Sequence, residues 1–217
     1  MTTSRRPEYD FWLFDLDGTL VDVEWPYIRE VFDRVGDRLG RRFTDREAEI
    51  IWYGLGSARS TQLREWGIDP DAFWTVFDAV DDPRTRAAAT YLYDDAEWIH
   101  RLECPTGLVT HCPPTITQQV LDTLGIRDWF DTVVCCSDEL GWKPDPRPVE
   151  VTMRNIGVAG RTDGVLVGDG ANDIGAAWNA GLDGIHVERH DPHRRRQCVL
   201  GDRRIEGFGE LRTILTG

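Results

Sequence analysis

Phe11-Trp12-Leu13-Phe14-Asp15-Leu16-Asp17-Gly18-Thr19-Leu20-Val21-Asp22 is the stretch from which the rest of the chain can be read. With Tyr9 and Asp10 before it, the apolar, aromatic run Tyr9 to Asp15, ended by carboxylates, has the character of a strand that stops at a turn. In an extended segment residues two apart face one side, and a turn at Gly18 lets backbone amides join Asp15 and Asp17 at one point. Two converging carboxylates bind a hard divalent cation, or divide labour between a nucleophile and a general acid/base. With 25 aspartates in the chain, an Asp-rich turn is the competing explanation for any single pair.

A second acidic strand end outweighs that explanation. Gly168-Asp169-Gly170-Ala171-Asn172-Asp173 follows the apolar Val165-Leu166-Val167 and sets two more carboxylates before a helical stretch. It is not the dinucleotide fingerprint, because Asp173 stands where a third glycine is required, so a nicotinamide cofactor is disfavoured. Further short strands are expected at 107–110, 132–136 and 184–187, with helices over 93–101, 114–124, 146–156 and 172–180, several ended by Gly125, Gly157 or Gly181. From about residue 93 strand and helix alternate, which predicts an α/β fold: a doubly wound, mainly parallel sheet that binds ligands beyond its carboxyl strand ends. Thr110 and His111 fall at one such end, and Lys143 follows another.

Between 22 and about 95 the pattern is helical, over 25–39, 45–52, 58–66, 71–79 and 84–91, with no convincing strand. This reads as an inserted helical unit. It holds four of the nine tryptophans, Trp25, Trp52, Trp66 and Trp74, with Trp98 just past its end, and that density of aromatics reads as core packing rather than a cofactor box.

The 217 residues, 41% of them hydrophobic, suffice for one sizeable core, and no apolar run approaches the roughly 18 to 20 residues that cross a bilayer. The amino-terminal residues Met-Thr-Thr-Ser-Arg-Arg-Pro-Glu lack the pattern of a secretory signal, so a cytoplasmic location is expected. A formal charge of −13 disfavours nucleic acid and anionic membrane as partners. Five cysteines with no Cys-x-x-Cys pair read as buried, reduced thiols. The basic run 190–196 reads as a solvated loop after the last strand.

There are 24 arginines and a single lysine, Lys143, which is hard to explain as surface charge. A compact ammonium on a flexible stem can follow a phosphoryl group through reaction and neutralise its nucleophile, which a planar guanidinium does less well. The acid-rich, lysine-poor bias resembles proteins of salt-adapted, GC-rich organisms, and points to a halophilic archaeon as source.

Taken in order, Asp15-x-Asp17-Gly18-Thr19-Leu20, Leu108-Val109-Thr110, Lys143-Pro144-Asp145-Pro146 and Gly168-Asp169 with Asp173 and Ala176-Ala177-x-x-Ala180-Gly181 resemble the four motifs of the haloacid dehalogenase superfamily. The insertion is similar to the helical cap of its phosphoglycolate phosphatase-like branch. The resemblance implies a Rossmann-like core of residues 1–21 and 96–217, a cap of 22–95, and hydrolysis of a small phosphorylated metabolite through an aspartyl phosphate. It makes Asp15 the nucleophile and Asp17 the acid/base. Mg²⁺ would sit on Asp15, Asp17 through its backbone carbonyl, Asp169 and, through water, Asp173. Thr110 and Lys143 would hold the phosphoryl group. His111 is counted with them for its place beside the site, though a lone histidine ordinarily packs, and Asn172 either orients this network or caps its helix. Gly54 and Gly56 could hinge a loop whose Arg59 reaches the leaving group. Dehalogenation needs neither the magnesium site nor Asp17, so phosphate is favoured. A phosphomutase would share this core. A phospho-receiver-type domain carries its accepting aspartate on a later strand and has no such insertion. Complete motifs argue against an inactive scaffold. Oligomeric state is not legible.

Overall fold

A computed structural model describes residues 9–211 apart from 57, 196 and 197. The first expected strand is β1, Phe11–Phe14, buried at every position. Its side chains alternate between two cores: Trp12 and Phe14 join one hydrophobic cluster, Phe11 and Leu13 the other. A strand covered on both faces reads as a continuous apolar run rather than an alternating one, which is why these four residues look as they do.

After β1 the chain forms β2 (Val21–Val23), then α1 (Trp25–Leu39), α2 (Asp45–Trp52), α3 (Arg59–Glu65), α4 (Pro70–Asp78) and α5 (Pro83–Ala88), and returns through β3 (Thr90–Leu92). Here the expectation of no strand between 22 and 95 is corrected, because β2 and β3 pair antiparallel with Val21 opposite Leu92. Three residues per strand are too few to show a period, so the helical reading absorbed them.

Helices α1, α2 and α4 close around Phe32, whose ring lies 5.4 Å from Phe43, 6.2 Å from Phe73 and 6.5 Å from Trp52. Trp25, Trp52, Trp66 and Trp74 pack against this cluster, as core packing predicts, whereas Trp98 belongs to the sheet's cluster. Sequence caps set the boundaries: the Thr44 side chain accepts the Glu47 N–H and the Glu47 carboxylate accepts the Thr44 N–H, the reciprocal box that starts α2. Helix α5 differs from its neighbours. Its Ala87 is buried in the sheet's cluster rather than that of the other inserted helices, and α5 packs on the later helix Pro114–Leu124.

The remainder runs β4 (Thr106–Thr110), α6 (Pro114–Leu124), β5 (Thr132–Cys135), α7 (Arg147–Asn155), β6 (Gly164–Gly168), α8 (Ala171–Asn179), β7 (Asp183–Val187) and β8 (Arg203–Ile205). The stretch 93–101, expected as a helix, is a 3₁₀ helix over Asp94–Arg101, and β8 was not expected. The six-stranded sheet has the order β5-β4-β1-β6-β7-β8, all parallel. Counting only its own strands, that is 3-2-1-4-5-6, the doubly wound order, with its switch point at β1. The fold class expected from the alternation is therefore the one found.

All five cysteines are free, but only Cys112 and Cys136 are buried; Cys104 and Cys135 are half-buried and Cys198 is exposed. Among the described residues no helix is long and apolar enough to cross a membrane. The amino-terminal segment read for a signal lies outside the described residues.

Candidate active site

Parallel neighbours that end together deliver their next residues to one place. Phe14 stands opposite Val167, and the Asp15 N–H donates to the Val167 carbonyl at 2.9 Å, so Asp15 and Asp169 emerge side by side. Asp173, in the first turn of α8, folds back over the strand end and accepts the Gly170 N–H at 3.0 Å. One oxygen from each of Asp15, Asp169 and Asp173 lies within 4.8 Å of the others, and all three residues are buried. Two glycines make this convergence possible. Gly18 has φ +76°, and a Cβ there would lie 2.8 Å from Asp169 Oδ2; a Cβ on Gly168 would lie 2.3 Å from Asp173 Cβ.

Lys143 closes the cluster from the loop after β5. Its Nζ lies 2.6 Å from Asp15 Oδ1, 2.6 Å from Asp173 Oδ1 and 2.8 Å from the Val109 carbonyl, and the residue is buried. Burial dominates the electrostatics. It pushes the Asp15 carboxyl up to about 7 against the pull of Lys143, with Asp173 and Asp17 adding to the rise. Asp169 is raised well above the usual carboxylate range by burial and by its two acidic neighbours. Burial alone would lower Lys143, but Asp15 and Asp173 outweigh it and hold the ammonium charged. Three buried carboxylates face Lys143 and, at 3.8 Å from Asp169, an Arg195 that is shared with Glu188, and the donors are all oxygen, without thiolate or imidazole. That set fits Mg²⁺ rather than zinc.

Asp17 does not converge with Asp15 as the extended-strand reading expected. The chain has already turned, with the Leu20 and Val21 N–H groups both donating to the Leu16 carbonyl at 2.9 and 3.1 Å. The Asp17 carboxylate stands outside the triad and accepts a hydrogen bond from Arg86 Nη2 at 2.6 Å. Arg86, on α5, is itself buried; it also pairs with Asp81 at 3.4 Å and lies 4.3 Å over the Trp52 ring.

Thr110 ends β4, buried, and its hydroxyl oxygen accepts the Cys112 N–H at 3.0 Å. His111 stands edge-on to Trp142, ring centroids 5.4 Å apart, and its buried Nε2 has no hydrogen-bond partner. Burial, with Lys143 and Arg59 nearby, drives its pKa down to about 2, which favours the neutral ring. Asn172 is exposed at the start of α8 and joins none of these bonds. Arg59 is anchored on the end of α2, donating to the Ile51 and Trp52 carbonyls at 2.7 and 2.9 Å, and its charge reaches both His111 and Asp169.

The sequence reading missed Arg86 and Arg195. Each is one of 24 arginines, and nothing in composition marks the buried ones. In the run 190–196, residues 191–194 are exposed as a solvated loop would be, but the Arg195 side chain is buried against Glu188 and Asp169, and Arg194 pairs with Glu49 of α2. Arg196 lies outside the described residues.

Comparison with known proteins adds the family. The pattern for haloacid dehalogenase-like hydrolases matches residues 10–181. A phosphoglycolate phosphatase of Pseudomonas fluorescens is 27% identical over 196 residues, covering 84% of this chain and 71% of its own. One from Colwellia psychrerythraea is 28% identical over 199 residues, covering 83% and 85%. Among solved structures, a phosphoglycolate phosphatase candidate from Lactobacillus plantarum superposes with a TM-score of 0.78 at 22% identity, over 95% of this chain and 99% of that one.

Proposed function

The chain belongs to the haloacid dehalogenase-like hydrolases, and from that premise we propose that it is a magnesium-dependent phosphatase acting on a small phosphate monoester. The observation that carries this reading is the buried Asp15–Asp169–Asp173 triad bridged by Lys143. Asp15 attacks phosphorus in line, the P–O bond to the leaving group breaks, and an aspartyl phosphate forms. Lys143 fixes the orientation of Asp15 through Oδ1. Asp17, held by Arg86 on the side of the inserted helices, acts in its protonated form as the acid for the departing alkoxide; the carboxylate this leaves takes a proton from the water that attacks the aspartyl phosphate, breaking its P–O bond, freeing Asp15 and releasing inorganic phosphate. Thr110 offers its hydroxyl proton to a phosphoryl oxygen, because its lone pair already serves Cys112. Magnesium on Asp15, Asp169 and the Asp17 carbonyl would supply the positive charge that draws phosphoryl oxygens into an acidic site.

The same reading makes 1–21 and 96–217 a catalytic core and 22–95 a cap that carries Arg59 towards the leaving group. Relatives named phosphoglycolate phosphatase put that compound first among substrates. Salt adaptation, argued from composition, completes the proposal. The test is release of inorganic phosphate from a panel of phosphoglycolate, sugar phosphates and nucleotides, with and without Mg²⁺, in low and high salt. Magnesium-dependent turnover that Asp15→Asn abolishes is expected; no turnover of any monoester in either salt would remove the reading.

A further inference from the structure

The loop that leaves β7 touches the carboxylate triad on one side and the inserted helices on the other. On the core side it is tied by arginines. Arg195 Nε lies 2.7 Å from Glu188 Oε1, and its Nη2 donates to the Asp169 carbonyl at 3.0 Å and lies 3.8 Å from Asp169 Oδ2. Glu188 is held in turn by Arg204 at 3.1 Å, and His186 Nε2 lies 3.0 Å from the same Asp169 carbonyl. Arg189 reaches both carboxylate oxygens of Asp95 at 2.8 Å and the Thr19 carbonyl at 3.1 and 3.2 Å.

On the other side the loop grips α2. The Asp191 carboxylate accepts the His193 N–H at 2.9 Å and starts the short 3₁₀ turn Pro192–Arg194. From that turn Arg194 pairs with Glu49, while Arg46, also on α2, donates to the Arg194 carbonyl. The His190 ring lies 4.2 Å from that of Tyr53, just past the end of α2. Consecutive residues therefore hold opposite partners: Arg194 holds α2, and Arg195 holds the backbone of Asp169. The two anchors leave adjacent residues, so a displacement of that stretch of backbone carries both.

We propose that residues 188–195 form a strap that couples the seating of α2 to the placement of Asp169, with Arg194–Glu49 as its clasp and Arg195 as a positioning residue. The inference rests on the assignment of Asp169 to a cation site. An ion on the triad fixes Asp169 and so favours the seated position of α2. By linkage, seating α2 favours the ion by the same factor. The clasp is partly exposed, so its share of the coupling is modest and screened by salt.

The test uses the full chain with magnesium alone as probe, followed by calorimetry, and limited proteolysis of the inserted helices. Glu49→Gln and Arg194→Gln, which touch no triad residue, should each weaken Mg²⁺ binding about two- to fivefold, the range an ion pair of this exposure supports. The double variant should be no weaker than either single one. Arg194→Lys, which keeps the charge, should bind as the wild type does. Magnesium should slow proteolysis of α2 in the wild type by the same factor and protect the two neutralised variants less. Wild-type Mg²⁺ affinity in both neutralised variants would overturn the strap and leave the phosphatase reading intact. A wild-type chain that binds no Mg²⁺ would overturn both.

Discussion

Lys143 shares one ammonium between Asp15 and Asp173 at 2.6 Å each, a geometry that suits a point charge with three donors. A planar guanidinium is larger and aims its donors in a fixed fork. Lys143→Arg should therefore lower kcat at least tenfold although charge is conserved, measured by phosphate release from the best substrate of the panel. Near wild-type turnover would show that the lone lysine is a compositional accident. Gly18→Ala should fail differently. It combines a left-handed backbone with a Cβ 2.8 Å from Asp169 Oδ2, so loss of Mg²⁺ binding by calorimetry is expected along with about 1 to 3 kcal/mol of stability. Much of the site was legible at this scale, because Asp15, Thr110 and Asp169 fall at strand ends that apolar runs announce, Asp173 lies in the helical turn that follows one of them, and Lys143 is the single lysine of the sequence. What was not legible is direction. Spacing places Asp17 beside Asp15, but the turn at Leu16 sends its carboxylate to Arg86, and no local pattern encodes a partner 69 positions away.

Helix α5 carries the ion pair that joins the inserted helices to the first motif. Its Arg86 is buried between Asp17, Asp81 and the face of Trp52, and removing one member of such a set strands the others. Arg86→Met should cost about 3 kcal/mol in urea unfolding, mostly from Asp81, which keeps only the Tyr27 hydroxyl at 2.7 Å. Adding Asp81→Asn should recover part of that loss, whereas equal stability of the single and double variants would show that Asp81 is not the stranded charge. At this scale helices were read well where caps and periodicity agree: α1, α2 and α6 have the boundaries expected. The misses, β2, β3 and β8, are three residues each and exist through pairing rather than pattern.

Across the whole molecule, buried acids make stability depend on pH in an unusual direction. The Asp15 carboxyl titrates near 7 in the fold against 3.8 unfolded, so the folded chain binds its proton more tightly; Asp169, Asp22 and Asp81 are raised as well. That contribution is full below about pH 4 and is lost as pH rises towards 7. Ion-free protein should then melt at progressively lower temperature from pH 5 to 7.5, and Asp15→Asn should flatten the slope. Saturating Mg²⁺, at ionic strength matched with potassium chloride, replaces the proton and should raise the melting temperature more at pH 7.5 than at pH 5. A shift that is equal at the two values would uncouple the ion from these acids. The β2–β3 ribbon has a consequence for descent and engineering. The chain leaves the sheet and comes back as hydrogen-bonded neighbours, Val21 against Leu92, so everything between them is a cassette spliced into a hairpin. A different insert, or a two-residue turn, fits the same junction without moving a strand of the parallel sheet. One contiguous block of sequence is thus exchangeable while both ends of the junction keep their place.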